Sequence, residues 1–190
     1  MHKGQRRKLS HFLEMVVLLF SIWILLSGVM ELKFLLIGLC SSIVITLICR
    51  PFLYTKNHKT GKEYFILQVN PFKLILYFLW LLKEIMKSTI EVSKEILQAN
   101  PVHEPRIVYF SMPFENPIAD VFLSHSIILT PGTITIDISK DGVYEVHALN
   151  ESLAEGVFSG EMQMKIAKLF NETCEFTPLY KKTYIRRGIK

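Results

Sequence analysis

Two apolar runs dominate the hydropathy pattern. "FLEMVVLLFSIWILLSGVM" (12–30) is followed at once by "LKFLLIGLCSSIVITLIC" (32–49), and Met15–Met30 and Phe34–Cys49 each hold sixteen residues without a charge. As a helix each run covers about 24 Å, and Phe12, Leu13 and Leu32 add a turn toward the roughly 30 Å of a hydrocarbon core. The connection "ELK" is too short for anything but a tight turn, so the pattern predicts a two-helix membrane hairpin. The rival reading of a basic "HKGQRRK" start is a cleaved signal peptide, and a second is one span plus a re-entrant segment. The immediate second run and Glu14 inside the first argue against cleavage.

The pattern then changes twice. Residues 51–70 are polar and basic, a loop. Asn70-Pro71 opens a long helix, "FKLILYFLWLLKEIMKSTIEVSKEILQAN", whose run Leu74–Leu82 has nine apolar residues, too few to span. Beyond it Leu82, Ile85, Met86, Ile90, Ile96 and Leu97 share one face, with Lys83, Glu84, Lys87, Glu91, Lys94 and Glu95 on the other. This predicts a membrane-interfacial amphipathic helix over 71–100 rather than a third span, which would have to bury Lys83 and Glu84.

After Asn100-Pro101 the period shortens. "PRIVYFSM" reads as a strand and "NPIADVFLSHSIIL" as a helix opened by Asn116. "TITIDI" and "VYEVHAL" read as strands, and "SGEMQMKIAKLFNETCE" as a closing helix. The expected architecture is a membrane α-helical hairpin plus interfacial helix, followed by a small cytoplasmic α+β (β-α-β-β-α) domain with its helices on one sheet face. Its divisions are a basic arm and hairpin (1–50), a basic loop (51–70), the interfacial helix (71–100), the α+β domain (101–180) and a basic tail (181–190).

Turn chemistry sharpens one part of this fold. Pro131-Gly132 suits the centre of a type II turn, where Pro fixes the first φ and Gly accepts a positive one. A three-residue Lys140-Asp141-Gly142 loop pairs Ile138 with Tyr144, Ile136 with Val146 and Ile134 with Ala148, making one face wholly apolar. That register turns His147 away from the core, opposite Thr135 and beside Glu145 and Asp137.

Charge places the chain relative to a membrane. Lys and Arg number four before the first run, one in the turn and four between Arg50 and Lys62, which puts the turn outside and both long ends in the cytoplasm. From residue 98 to 180 four Lys/Arg face eleven Asp/Glu, so the folded domain lacks the cations of a nucleic-acid binder. Three cysteines (Cys40, Cys49, Cys174) show neither metal spacing nor a disulfide framework. No Asp, Glu, Lys, Arg or His lies near the middle of either apolar run, whereas pumps relay protons through such groups. Glu14, a turn inside the boundary, reads as a carboxylate reaching the interface. Gly38 and Ser42, with Cys40 and Ser41 between them, give one helix a small-residue face, either for hairpin packing or for docking to other membrane subunits.

The candidate chemistry is thin. Glu84, Glu91 and Glu95 alternate with lysines as a solvated face does. Asp120 and Ser124 share a helix face, but His125 is turned about 100° away, so no triad follows. Thr135, Asp137, Glu145 and His147 loosely resemble a metal cluster; a solvated or subunit-facing patch is the simpler reading. "TPGT" lacks the glycines and lysine of a phosphate cradle. No catalytic residue, cofactor or metal is expected. A membrane-tethered ligand- or metal-binding regulatory module remains the alternative function.

Together "SHSIILTPGTITIDISKDGVYEVHAL" resembles the signature of the E subunit of Mrp/Mnh-type multisubunit cation/proton antiporters. The matching positions are Ser126, Thr130, Pro131, Gly132, Thr133 and His147; His125 stands where the family pattern has Ser or Asn. The resemblance implies a plasma-membrane, multi-pass accessory subunit with its C-terminal domain in the cytoplasm. Its partners would be the lipid bilayer and other antiporter subunits, which exchange cytoplasmic Na⁺ or K⁺ for external H⁺. No nucleic acid is implied.

Overall fold

A computed structural model describes residues 2–57, 59–66, 69–98 and 104–183. It divides into two compact units, Met1–Leu67 and Gln68–Lys190. The Asn100-Pro101 boundary and the end of the basic tail, 184–190, lie outside the described residues.

The first unit is the expected pair of apolar helices, α1 (His2–Ser27) and α2 (Leu32–Cys49). Both are long and apolar enough to cross a membrane. Their apolar windows are only 6% and 17% buried, unlike the core helix of a soluble protein. The residues that α2 does bury are Gly38, Ser42 and Thr46, one face at four-residue spacing. The Trp23 ring of α1 lies directly on Gly38, in the space a Cβ would need. Ser42 Oγ donates to Gly38 O (2.8 Å) and Thr46 Oγ1 to Ser42 O (2.7 Å), so neither hydroxyl is left unpaired in apolar surroundings. Gly38 and Ser42 are therefore used inside the hairpin, the first of the two readings of this face, while Cys40 stays exposed.

Residues 51–70 are more structured than a plain loop. A 3₁₀ turn (Arg50–Phe52) leads into β1 (Tyr54–Lys56), which pairs antiparallel with β2 (Glu63–Phe65). His11 of α1 stacks on Phe65, with ring centroids 4.0 Å apart, and its Nδ1 lies 3.3 Å from the Tyr54 hydroxyl. Those aromatic contacts are non-local, so hydropathy could not reveal them.

The second unit opens with α3 (Pro71–Ile96), capped by Asn70, whose side chain accepts from the amides of Phe72 and Lys73. There follow β3 (Arg106–Ser111), α4 (Pro117–Leu129), β4 (Thr133–Ile138), β5 (Val143–Ala148), α5 (Glu151–Phe158), α6 (Glu161–Phe170) and β6 (Thr177–Thr183). The antiparallel sheet has the order β4-β5-β3-β6. Its inner face (Val108, Phe110, Tyr144, Val146, Ala148) packs on Leu123 and Ile127 of α4, Leu153 and Ala154 of α5, Ile166 of α6, and Tyr77 and Leu81 of α3.

After α3, two elements of the second unit lie outside the expected β-α-β-β-α order. Helix α5 is eight residues long and carries Gly156 in its interior, so no apolar period stands out. Strand β6 is an edge strand holding Pro178 and the charged Lys181 and Lys182, a pattern that reads as tail. It reaches the helices through Lys181, whose Nζ lies 3.0 Å from Glu151 Oε1, while Arg106 Nε lies 2.5 Å from Glu151 Oε2. Glu151 thus ties β3 and β6 to the start of α5, and both hydrogen bonds hold its carboxyl below the ordinary range. The group is half-exposed, so Glu151→Gln is expected to cost only about 0.5–1 kcal/mol, read as the shift in a urea melt of the full chain in detergent.

Candidate functional site

The segment 126–149 begins inside α4, where Ser126 is buried among apolar neighbours. Its Oγ receives the Tyr77 hydroxyl of α3 at 2.7 Å and donates to Phe122 O, also at 2.7 Å. Burial pushes the Tyr77 hydroxyl up to about 12, so it stays protonated and donates. Thr130 Oγ1 donates to Ser126 O (3.0 Å), continuing the chain of hydroxyls down the helix.

The turn then forms as its residues dictate. Thr133 N donates to Thr130 O (3.2 Å), and Gly132 carries φ +85° at the third position, the type II geometry. Pro131 O accepts from Ser88 Oγ of α3 (2.5 Å), and Gly132 O accepts from Leu149 N (2.8 Å). A Cβ on Gly132 would lie 2.5 Å from Leu153 Cδ1 of α5 and 3.1 Å from Val92 Cγ2 of α3. Thr133, 6% exposed, closes the turn by bonding Ile127 O (2.6 Å) and Thr130 O (2.9 Å). Five signature positions, Ser126, Thr130, Pro131, Gly132 and Thr133, therefore build a clamp that seats α3 against α4, β4 and α5.

The sixth position, His147, lies elsewhere. The three-residue loop forms as expected: Ser139 N donates to Val143 O (2.8 Å), Gly142 takes φ +77°, and Ile138 pairs with Tyr144. Beyond Asp137–Glu145, however, a bulge falls between Thr135 and Asp137, giving Thr135–Val146, Ile134–His147 and Thr133–Ala148. The expected pairs Ile136–Val146, Ile134–Ala148 and Thr135–His147 are thus corrected. His147 still faces away from the core, but between Ile134 and Ile107 of β3 rather than opposite Thr135. Ile134 and Ile136, expected inside, are half-exposed. On the same outer face Tyr109 stacks on Tyr180 (4.3 Å) and its hydroxyl donates to Glu145 (2.8 Å). The loose Thr135/Asp137/Glu145/His147 cluster is accordingly split, with Thr135 turned inward toward Ser124 O (3.4 Å).

The other candidates resolve into scaffold. His125 Nδ1 lies 2.8 Å from Val121 O, whereas Asp120 accepts from the Tyr144 hydroxyl (2.7 Å). Burial lifts the Asp120 carboxyl to about 6, with Tyr144's bond opposing and Glu172 adding to the rise. Glu95, expected on a solvated face, is buried and accepts from the Asn150 amide. Beside it a shallow hollow of about 460 Å³ is lined by Glu91, Glu104 and Glu151 among others, but Glu104 and Glu151 are committed to Arg106.

A sequence profile of the family described as Na⁺/H⁺ ion antiporter subunit matches residues 16–168, parts of both units from within α1 to within α6. The chain belongs to the E-subunit family of Na⁺/H⁺ antiporters. Subunit E1 of the Na⁺/H⁺ antiporter of Staphylococcus haemolyticus is 31% identical over 157 residues, covering 81% of this chain and 91% of that protein. The Staphylococcus saprophyticus subunit E1 is 28% identical, covering 70% and 78%. Among solved structures, a chain of the membrane-bound sulfane sulfur reductase, an archaeal respiratory membrane complex, has the same fold. Its TM-score is 0.62 at 23% identity, covering 83% of this chain and 98% of that one. In this E subunit Ser126, Thr130, Pro131, Gly132 and Thr133 thus serve one joint between helix and sheet.

Proposed function

We propose that this chain is an accessory, structural subunit of a multisubunit antiporter that exchanges cytoplasmic Na⁺ or K⁺ for external H⁺. The observation that carries the reading is the hairpin itself, whose apolar stretches Met15–Met30 and Phe34–Cys49 hold no Asp, Glu, Lys, Arg or His, so the ion path belongs to partner subunits. The hairpin crosses the plasma membrane with both ends in the cytoplasm, α3 lies in the interface, and the α+β domain braces the assembly from the cytoplasmic side. Full-length chain reconstituted alone should show no Na⁺- or K⁺-driven change in internal pH. The intact complex should show one that falls when this subunit is deleted. Transport by the chain alone would overturn the proposal.

The outer sheet face is the bracing surface. His147 sits there with half-exposed Ile134, Ile136 and Tyr180, an apolar and aromatic patch on the outer face of the sheet. His147→Ala is expected to leave the melting temperature unchanged while lowering the yield of copurified partner subunits several-fold. Equal recovery of the complex would remove the outer face from the docking surface.

A further inference from the structure

Helix α3 has two apolar sides. Leu74, Tyr77, Leu81, Ile85 and Val92 pack inward on the domain. Phe72, Ile75, Leu79, Leu82, Met86 and Ile90 are all at least half exposed, and at about 100° per residue they fall within an arc of about 80°. Charge is arranged around that stripe on one flank only. From Lys83 onward, Lys83, Lys87 and Lys94, all exposed, come next around the helix, and Glu84, Glu91 and Glu95 follow on the side nearer the domain, where Glu95 is buried. Nearer the helix start Lys73 lies at the angle of Glu91 and bonds Asn171 Oδ1 (3.0 Å). The opposite flank is uncharged, with Phe78, Thr89, Ser93 and Ile96.

This sequence of apolar, cationic and then anionic bands is a gradient of depth. A bilayer surface has the same order: acyl boundary, phosphates, water. A protein partner would need no single-sign row along one edge. In sequence, α3 opens at Pro71 and the second apolar helix ends at Cys49, with residues 50–70 between them.

We infer that α3 docks on anionic phospholipid headgroups, with its outward stripe at the acyl boundary and Lys83, Lys87 and Lys94 on the phosphates. This rests on the interfacial placement of α3 proposed above and adds the sign of the lipid.

The test uses the full chain with Cys40, Cys49 and Cys174 replaced by Ser and a nitroxide on a single cysteine at Leu79, Met86 or Ile90. Collision with oxygen and with a water-soluble nickel chelate is compared in phosphatidylglycerol-rich and pure phosphatidylcholine vesicles. In the former the three positions should favour oxygen. Replacing Lys83, Lys87 and Lys94 by Gln should weaken this attachment roughly fivefold per lysine, with an unchanged circular dichroism spectrum. Oxygen preference equal in both lipids and indifferent to the lysines would leave the interfacial helix standing and overturn the headgroup inference. Nickel access in both lipids would overturn the interfacial reading as well. Shielding from both probes in the assembled complex would show a protein partner on the stripe and also overturn the inference.

Discussion

Gly132→Val should destabilise the second unit by about 3 kcal/mol, the sum of a strained backbone and an overpacked contact. The strain arises because Gly132 takes φ +85°, a region that β-branched residues avoid. The overpacking arises because the new Cβ would stand 2.5 Å from Leu153 Cδ1 and 3.1 Å from Val92 Cγ2. The leucine methyl can rotate away, but the helix behind Val92 must yield. Gly132→Ala should show a smaller loss, because it shares the backbone strain but adds less bulk. The loss should appear as a lower melting temperature of the full chain in detergent, together with a rise in quenching of Trp80 by iodide as α3 loosens. An unchanged melting temperature would contradict the clamp.

Asp120→Asn should act in the opposite direction, stabilising the unit by about 1–2 kcal/mol at pH 7.5. Burial raises the Asp120 carboxyl to about 6 from its ordinary 3.8, so the folded state takes up the proton first. Stability therefore rises as pH falls from above 6 toward 4, and the full difference corresponds to about 3 kcal/mol. Asparagine can still accept the Tyr144 hydroxyl bond without burying a charge, although it gives up a favourable carboxylate in the first turn of α4. The variant's stability should be flatter between pH 4 and 6 than the wild type's, measured by denaturant titration across that range. Parallel curves would show that Asp120 is not the group responsible.

What could be read from sequence was local chemistry. Asn70-Pro71 and Asn116-Pro117 announced two helix starts, Pro131-Gly132 announced a type II turn, and Lys140-Asp141-Gly142 announced the hairpin loop. The bulge was not local. Thr133 is drawn inward by the carbonyls of Ile127 and Thr130, while Ile138 packs inward from the other end of the same strand. An odd and an even position cannot both face the core of a regular strand, so one residue must be left over. Only the end of α4, fixed in space, requires it. For the same reason Ile134 and Ile136, apolar in sequence, surface beside His147. Of the stripe expected on α3, Leu82, Met86, Ile90, Ile96 and Leu97 are exposed, but Ile85 packs inward. The inward face was not legible, because Tyr77, Ser88 and Glu95 look polar until their partners are known. Of the signature, the turn residues declared their geometry; their joint purpose depended on α3, some forty residues upstream.

The hydroxyl pair Tyr77–Ser126 and the bond from Ser88 to Pro131 set where this protein can be cut. A fragment begun after the proline near residue 101 would discard α3 and bare Leu123, Ile127 and the polar groups of the turn together. Limited proteolysis should accordingly liberate a stable piece whose new N-terminus lies at or before Asn70, and any soluble version of the domain must carry that first helix with it.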